Sequence, residues 1–157
     1  MSKKTVQQQF VDMGLDLKII EFGESTATVE LAAQAIGVQP AQIAKTMGFQ
    51  IKDQNIVIVS KGDARIDNKK FKTTFATKAK MIPFSDVESI TGHPAGGVCP
   101  FGLKDGVGIY LDESLKEFEL VYPAGGTPNT AVKITVDQLA DVTNGTWVNV
   151  CKKSEEK

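Results

Sequence analysis

Residues 47–60 read Met-Gly-Phe-Gln-Ile-Lys-Asp-Gln-Asn-Ile-Val-Ile-Val-Ser, and this stretch decides the fold class. Two runs of mostly apolar residues, 47–51 and 56–60, flank the polar segment 52–55. Such runs separated by a short polar segment are typical of a β-hairpin. The stretch therefore predicts an antiparallel pair of strands near the middle of the chain.

Helix and strand signals continue on both sides of this hairpin. Thr28 and Gly37 are suited to begin and end one helix, and Asp67 to begin another in which Phe71 and Phe75 share one face. The pattern predicts an α+β fold, a single compact domain whose mixed, largely antiparallel sheet is flanked by short helices. The predicted helices are 3–13, 28–37, 41–45, 67–75, 85–92, 114–117 and 135–140. The predicted strands are 17–22, 47–51, 56–60, 107–111, 119–122, 132–134 and 147–150.

Length and composition are those of one globular domain. The 157 residues are 41% hydrophobic and 24% charged, with a net charge of −1. We expect a domain over 1–151 and a frayed C-terminal tail over 152–157. No apolar leader and no run of membrane-spanning length occurs, which predicts a cytoplasmic protein with no membrane partner. One histidine and two distant cysteines cannot supply a zinc site, so we predict no metal and no cofactor.

The segment 61–80 is strongly basic, with seven basic and two acidic residues. A basic patch on a slightly acidic protein suits contacts with a nucleic-acid backbone. The alternative is an ordinary solvated helix face.

Residues 91–102, called the glycine loop below, read Thr-Gly-His-Pro-Ala-Gly-Gly-Val-Cys-Pro-Phe-Gly. Four glycines and two prolines in twelve residues exclude a helix or a central strand and predict a shaped loop. The backbone N–H groups of such loops can hold an anion or a developing oxyanion. A tight structural connection is the alternative.

His93 and Cys99 are the conspicuous reactive side chains of this loop. Cys99 could act as a nucleophile with His93 as its base. Alternatively, His93 is structural and Cys99 is a small packing residue. Lys45 and Thr46 lie where the predicted helix 41–45 meets a strand, a position that can direct an amine into a cleft. Lys45 could equally be a solvated cation at a helix C-terminus.

Three segments together resemble one family. They are Ile-Ala-Lys-Thr-Met at 43–47, the glycine loop from Gly92 to Gly102, and Ala-Gly-Gly-Thr-Pro-Asn at 124–129 ahead of Val-Lys-Ile at 132–134. In this order they resemble the YbaK/EbsC-like aminoacyl-tRNA deacylases, relatives of the editing domain inserted in bacterial prolyl-tRNA synthetase. The resemblance spans nearly the whole chain.

The resemblance implies a metal-independent trans-editing hydrolase that deacylates mischarged aminoacyl-tRNA, with tRNA(Pro) carrying cysteine, alanine or another small amino acid as the expected substrate. It implies aminoacyl-tRNA as a partner and prolyl-tRNA synthetase as a further candidate. Lys45 would hold phosphate, and backbone N–H groups at Gly96 and Gly97 would polarise the carbonyl; these three are the expected catalytic residues. The expected substrate contacts are Thr46, Gly92, His93, Pro100, Gly125, Gly126 and Thr127. The expected tRNA contacts are Lys61, Arg65, Lys69, Lys70 and Lys72.

Three positions depart from the family pattern. Ala124 stands where some relatives that remove cysteine carry serine, so cysteine specificity is not transferred directly. Cys99 stands where relatives often carry serine, and His93 where others carry residues such as tyrosine, which weakens a chemical role for either. Two rival functions remain: a non-catalytic regulator that binds tRNA or a protein, and a small-molecule thiol hydrolase that uses Cys99.

Overall fold

A computed structural model describes residues 2–152. Its helices in that range are α1 (Ser2–Asp12), α2 (Val29–Ile36), α3 (Asn68–Phe75), α4 (Val87–Thr91) and α5 (Val136–Thr143). Its strands are β1 (Ile19–Glu21), β2 (Ile43–Ile51), β3 (Gln54–Lys61), β4 (Gly108–Asp112), β5 (Leu120–Pro123), β6 (Thr130–Val132), β7 (Ile134–Thr135) and β8 (Thr146–Val148). Short 3₁₀ turns occupy Pro40–Gln42, Phe84–Asp86 and Glu113–Glu117.

Six strands form the main sheet in the order β7-β5-β2-β3-β4-β8, and β1 pairs with β6 in a small second sheet. The predicted hairpin is at the centre, with Met47 opposite Ile58 in the antiparallel pair β2–β3. The α+β class and the mixed sheet are thus confirmed. Three pairs, β2–β5, β3–β4 and β4–β8, are parallel, so among the described residues half of the six strand pairs are parallel, a larger share than the sequence predicts.

Both faces of the main sheet are covered, which explains why the run 56–60 of β3 is buried throughout. On one side Phe10 of α1 contacts Phe101, with the ring centroids 5.0 Å apart and edge to face. On the other side Phe71 of α3 contacts Phe49, with the centroids 5.2 Å apart. The end of the glycine loop is therefore anchored in the hydrophobic core.

The predicted helix starts are confirmed where a side chain accepts hydrogen bonds from the free N–H groups of the first turn. Thr28 caps α2, which ends at Gly37 in the left-handed conformation. The Asp67 carboxylate accepts the N–H groups of the first turn of α3. Thr135 and Gln138 form the predicted capping box of α5. Each cap offsets part of the cost of the unpaired N–H groups at a helix start.

The predicted helix over 41–45 is wrong. A 3₁₀ turn ends at Gln42, and β2 begins directly at Ile43. Ile43 and Ala44 pair with β5 on one side, and Ala44 onward with β3 on the other. This long-range pairing outweighs the weak local helix signal of Pro40. Lys45 and Thr46 consequently lie within a strand.

Two further local predictions need correction. Ser85 does not cap α4; Asp86 precedes that helix without a side-chain cap, after a 3₁₀ turn, although α4 does end at Gly92 with φ of +90°. The predicted strand 132–134 is divided between β6 and β7, which lie in different sheets.

The C-terminal prediction is only partly within the described residues. Lys152 is tied to the fold because its N–H donates to the Arg65 carbonyl at 2.8 Å. Residues 153–157, the rest of the predicted tail, lie outside the described range. No helix within residues 2–152 has the length and apolar character needed to cross a membrane.

Candidate active site

A cavity of about 240 Å³ opens beside β2, between the glycine loop and the start of α2. Its wall is formed by β2, the glycine loop, the start of α2, and the residues before and within α4. The lining residues are Thr26, Ala27, Thr28, Val29, Ala44, Lys45, Thr46, Met47, Gly48, Met81, Ile82, Val87, Thr91, Ala95, Gly96, Val98 and Ala124.

Two glycines allow the loops around this cavity to approach each other. Gly96 has φ of +88°, and a Cβ atom there would lie 3.0 Å from the Cβ of Ala27. A Cβ atom on Gly97 would lie 2.6 to 2.8 Å from the backbone of Thr127, closer than real Cβ contacts allow. The glycine loop, the 124–130 turn and the start of α2 therefore pack as one unit only because these positions lack side chains.

Lys45 is half-buried in the cavity wall, and its Nζ donates to the Ala64 carbonyl. Burial lowers the pKa of its ammonium below the ordinary value, with Arg65 acting in the same direction and Cys151 and Asp63 opposing. An ammonium has three donors, so this bond leaves two for a ligand. The structure thus places a partly desolvated cation next to an exposed arginine.

Thr46 and the glycine loop present polar groups without partners. The buried Oγ1 of Thr46 has no hydrogen-bond partner within residues 2–152. In the same part of the chain the backbone N–H groups of Gly96 and Val98 donate to no protein acceptor. Buried polar groups are normally paired, so the buried Thr46 Oγ1 is suited to a ligand. Gly96 is exposed and Val98 half-buried, so their N–H groups are open to water or to a ligand.

His93 and Cys99 form a buried pair inside the fold, in which the Nδ1 atom of His93 has no hydrogen-bond partner within residues 2–152. Both side chains are completely buried. His93 Nε2 lies 2.6 Å from the Phe101 carbonyl, and Cys99 Sγ lies 3.6 Å from Nε2. A carbonyl only accepts, so Nε2 carries the proton and donates. Burial raises the pKa of the Cys99 thiol to about 12 and lowers the pKa of His93, which keeps both groups neutral and favours their structural interpretation.

Of the ten predicted catalytic and substrate-contact residues, the structure brings three to the cavity and leaves seven outside its lining. Lys45, Thr46 and Gly96 line it. Thr127 Oγ1 instead lies within its own turn, 2.8 Å from Asn129 Oδ1 and 2.9 Å from Thr130 Oγ1. The complete burial of His93 removes this residue from the substrate contacts that we propose. The predicted residues outside the lining are Gly92, His93, Gly97, Pro100, Gly125, Gly126 and Thr127.

The basic segment is only partly an exposed surface. Arg65, Lys69 and Lys72 are exposed, whereas Lys70 donates from Nζ to the Cys151 carbonyl at 3.0 Å. Lys61 is 7% exposed, and its ammonium forms ion pairs with Glu117 at 3.0 Å and Asp63 at 3.6 Å. The ion pairs explain how a lysine can be buried there. The prediction that Lys61 contacts tRNA is therefore corrected, and Lys61 is not among the tRNA contacts that we propose.

Sequence reasoning missed the contribution of the start of α2. The Thr26 N–H donates to the Pro128 carbonyl at 2.7 Å, which holds this segment against the 124–130 turn. Thr28 carries a visible signal as a helix cap, but a cap signal does not reveal that the helix start faces a cavity. No sequence signal marks residues 81–82 or Val87 as part of the cavity, because only the fold brings them to β2.

The chemistry of the lining is restricted. No carboxylate from residues 2–152 lines the cavity. In that range no group of three or more His, Cys, Asp or Glu side chains is arranged to hold a metal ion. The wall offers one cation, hydroxyl groups, backbone groups and apolar side chains.

A comparison with protein families gives this geometry a context, because the family model for the aminoacyl-tRNA editing domain matches residues 23–142. The chain belongs to the aminoacyl-tRNA editing domain family. All seventeen cavity residues lie within the matched segment of this editing domain. The YbaK/EbsC-like resemblance is thereby confirmed, and the family supports a deacylase role.

Individual relatives match nearly the whole length of this chain. It is 45% identical to the uncharacterized protein YwhH of Bacillus subtilis, over 99% of this chain and 100% of YwhH. It is 26% identical to EbsC of Enterococcus faecalis, which carries a proposed assignment as a Cys-tRNA(Pro)/Cys-tRNA(Cys) deacylase, over 98% of this chain and 99% of EbsC. A crystal structure described as a proposed trans-editing enzyme for prolyl-tRNA synthetase superposes with a TM-score of 0.88 at 29% identity, covering 97% and 98% of the two chains.

Proposed function

We propose that the protein is a trans-editing hydrolase that removes a wrong, small amino acid from tRNA(Pro) in the cytoplasm. The observation that carries the proposal is the cavity wall, where Lys45, Thr46 and the backbone of Gly96 come together. Apolar side chains such as Ile82 and Val98 complete the wall and suit a small side chain such as that of alanine or cysteine. The relatives named for deacylation of cysteinyl-tRNA and for prolyl-tRNA synthetase support this choice of substrate.

The reaction needs little from protein side chains because an aminoacyl ester is already reactive. Water attacks the carbonyl carbon, and the oxygen of the tetrahedral intermediate takes the negative charge. The N–H of Gly96 stabilises that charge, since it has no protein acceptor. The ester bond then breaks, and the proton lost by water passes to the departing ribose oxygen. The Gly97 N–H differs from the prediction, because it donates to the Pro94 carbonyl at 2.9 Å; Gly97 therefore acts as a positioning residue within the loop.

The acceptor end of the tRNA enters along the basic residues in this proposal. Lys45 holds a phosphate near the ester. The exposed Arg65 lies close enough that its charge helps to lower the pKa of the Lys45 ammonium. Lys69 and Lys72 continue the exposed cationic surface on α3, and Lys70 retains its tie to Cys151. Prolyl-tRNA synthetase is the proposed partner that presents the substrate.

The direct test is hydrolysis of tRNA(Pro) charged separately with alanine, cysteine and proline. Loss of each ester is followed against a control without protein. We expect one mischarged ester to disappear selectively while the proline ester is spared. The matched specificity control is the same three amino acids on their own tRNAs, which shows whether the tRNA body contributes to selection.

Stability of every ester would contradict the proposal. Binding of tRNA that weakens steeply with salt, without ester loss, would instead identify a non-catalytic regulator. Equal hydrolysis of all esters, including the correct ones, would exclude an editing role.

A further inference from the structure

The outer edge of β2 is interrupted at the cavity. Toward its start, Ile43 and Ala44 pair with Tyr122 and Pro123 of β5. Further along, the Gly48 carbonyl accepts the N–H of Ile82 at 3.0 Å. Between these two contacts no strand from residues 2–152 pairs with β2 on this side, and the cavity occupies the gap.

Strand geometry determines which backbone groups face the gap. In an antiparallel pair, successive residues direct their N–H and C=O groups alternately toward and away from the partner strand. The Gly48 carbonyl and the Gln50 N–H both bond to the 80–82 segment, so these residues point away from β3. Thr46 has the same parity. Both its N–H and its C=O therefore point into the gap, where no described strand pairs with them.

Thr46 is also the exception among the threonines of the cavity, since its Oγ1 has no partner in the described chain. Its backbone and side chain together form one uncommitted set of donors and acceptors. The other three hydroxyls are occupied: Thr26 Oγ1 donates to the Thr130 carbonyl at 3.3 Å, Thr28 Oγ1 accepts from the Leu31 N–H at 3.2 Å, and Thr91 Oγ1 donates to the Val87 carbonyl at 2.8 Å.

The gap has the length of one residue. Pro123 at one end and Ile82 at the other already pair with the neighbours of Thr46 in the outward-facing series, Ala44 and Gly48. A peptide strand would need several free positions in succession, as strand addition at a sheet edge does. A single amino-acid unit needs one. Its N–H and C=O can exchange both hydrogen bonds with one residue, as in a hydrogen-bonded pair of an antiparallel sheet.

We propose that Thr46 pairs through its backbone with the aminoacyl group, so that the enzyme selects esters with a free α-amino group. The Thr46 carbonyl accepts from the substrate ammonium, and the Thr46 N–H donates to the ester carbonyl that Gly96 also contacts. This inference rests on the proposed function. It explains how an ammonium is bound in a cavity to which no described carboxylate contributes.

The placement of Lys45 is compatible with this arrangement. Successive strand residues project to opposite faces of a sheet, so the Lys45 and Thr46 side chains diverge. The Lys45 ammonium bonds to the Ala64 carbonyl on its own side. Phosphate and ammonium, the two charged ends of the substrate, therefore meet different groups of the protein.

The test is a series of three esters on the same tRNA(Pro), built on whichever mischarged amino acid is hydrolysed fastest. The first carries the α-ammonium, the second an α-hydroxyl and the third only hydrogen. Each enzymatic rate is divided by the spontaneous rate of the same ester, which removes differences in intrinsic reactivity. Because a hydrogen bond to a charged group is the stronger kind, we expect kcat/KM to fall in that order, by about 10- to 100-fold from first to last.

Thr46→Val separates the backbone from the side chain because it keeps the shape and removes the hydroxyl. The proposal expects this variant to retain the preference for the α-amino ester. Equal normalised rates for the three esters in the wild type would overturn the inference while leaving the editing function intact. Loss of the preference in Thr46→Val would overturn the backbone assignment. Failure to hydrolyse even the α-amino ester would instead count against the proposed function.

Discussion

The buried pair His93 and Cys99 inside the glycine loop lies outside the cavity lining, whereas the outer edge of β2 forms part of it. In the loop, the imidazole of His93 bonds to the Phe101 carbonyl and the Cys99 thiol packs beside it, fully buried. At the edge, the buried hydroxyl of Thr46 has no described partner. The Nδ1 atom of His93 also has no described partner, but His93 is fully buried and does not line the cavity, so Thr46 is the residue left for the ligand.

The largest effect is expected where the loop depends on a missing side chain. Gly97→Ala places a methyl group against the Thr127 backbone, which cannot move aside as a flexible side chain would. We expect a loss of about 1–3 kcal/mol in the free energy of unfolding, as for other overpacked sites, and a displaced loop that no longer hydrolyses the ester. Denaturant unfolding and the deacylation assay measure the two effects.

Gly23→Ala is the matched control, because a Cβ atom there meets nothing within 4 Å. Equal stability of the two variants would show that the close approach of the glycine loop to the 124–130 turn is not required.

Lys45→Ala tests the charged side of the wall. Loss of a hydrogen bond between a cation and phosphate is expected to lower kcat/KM by about 10- to 100-fold. The effect should lie mainly in KM if Lys45 holds the phosphate equally in the ground state and the transition state. The exposed Lys133 provides the control variant Lys133→Ala. An unchanged kcat/KM in Lys45→Ala would remove this lysine from the site.

His93 sharpens the comparison through pH. Burial lowers its pKa in the folded protein, so on acidification the unfolded chain takes up the proton first. The contribution of neutral His93 to stability is complete above about pH 6.5, the ordinary histidine pKa, and is lost as pH falls below it. We expect the unfolding free energy of the wild type to fall more steeply than that of His93→Gln between pH 7 and 5, by at most about 1.4 kcal/mol per pH unit. Parallel curves would contradict the buried, neutral histidine.

The smallest effect on activity is expected at Cys99. A thiol with a pKa of about 12 is not a nucleophile at neutral pH, so Cys99→Ala should retain kcat/KM near the wild-type value. Activity that disappears with the thiol, while the variant stays folded, would restore the cysteine mechanism.

Local signals carried the part of the fold that could be predicted from the sequence. Thr28, Asp67 and Thr135 each begin a helix because a side chain within the same turn accepts the free N–H groups. Ile43 and Ala44 have no such local device. Their strand depends on β3 and on β5, nearly 80 residues further along the chain, and the prediction failed there.

The site shows the same division between local and long-range information. The motif residues Lys45, Thr46 and Gly96 could be identified from the sequence and line the cavity. The start of α2 and the 81–87 segment complete the wall through contacts that only the fold creates. Burial of Lys61 depends on Glu117, a distant residue that makes this lysine part of an ion pair rather than of the exposed patch.

The uncommitted backbone groups of Thr46 and Gly96 are the centre of the proposed site, and amide NMR of the labelled protein tests their role most directly. The ligand is an amide analogue of an aminoacyl-adenosine, which keeps the α-amino group and cannot be hydrolysed as an ester. Saturating ligand should shift the Thr46 and Gly96 amide signals and slow their hydrogen exchange, while the buried His93 and Cys99 amides change little. Binding that leaves the Thr46 and Gly96 amides unperturbed would contradict the account.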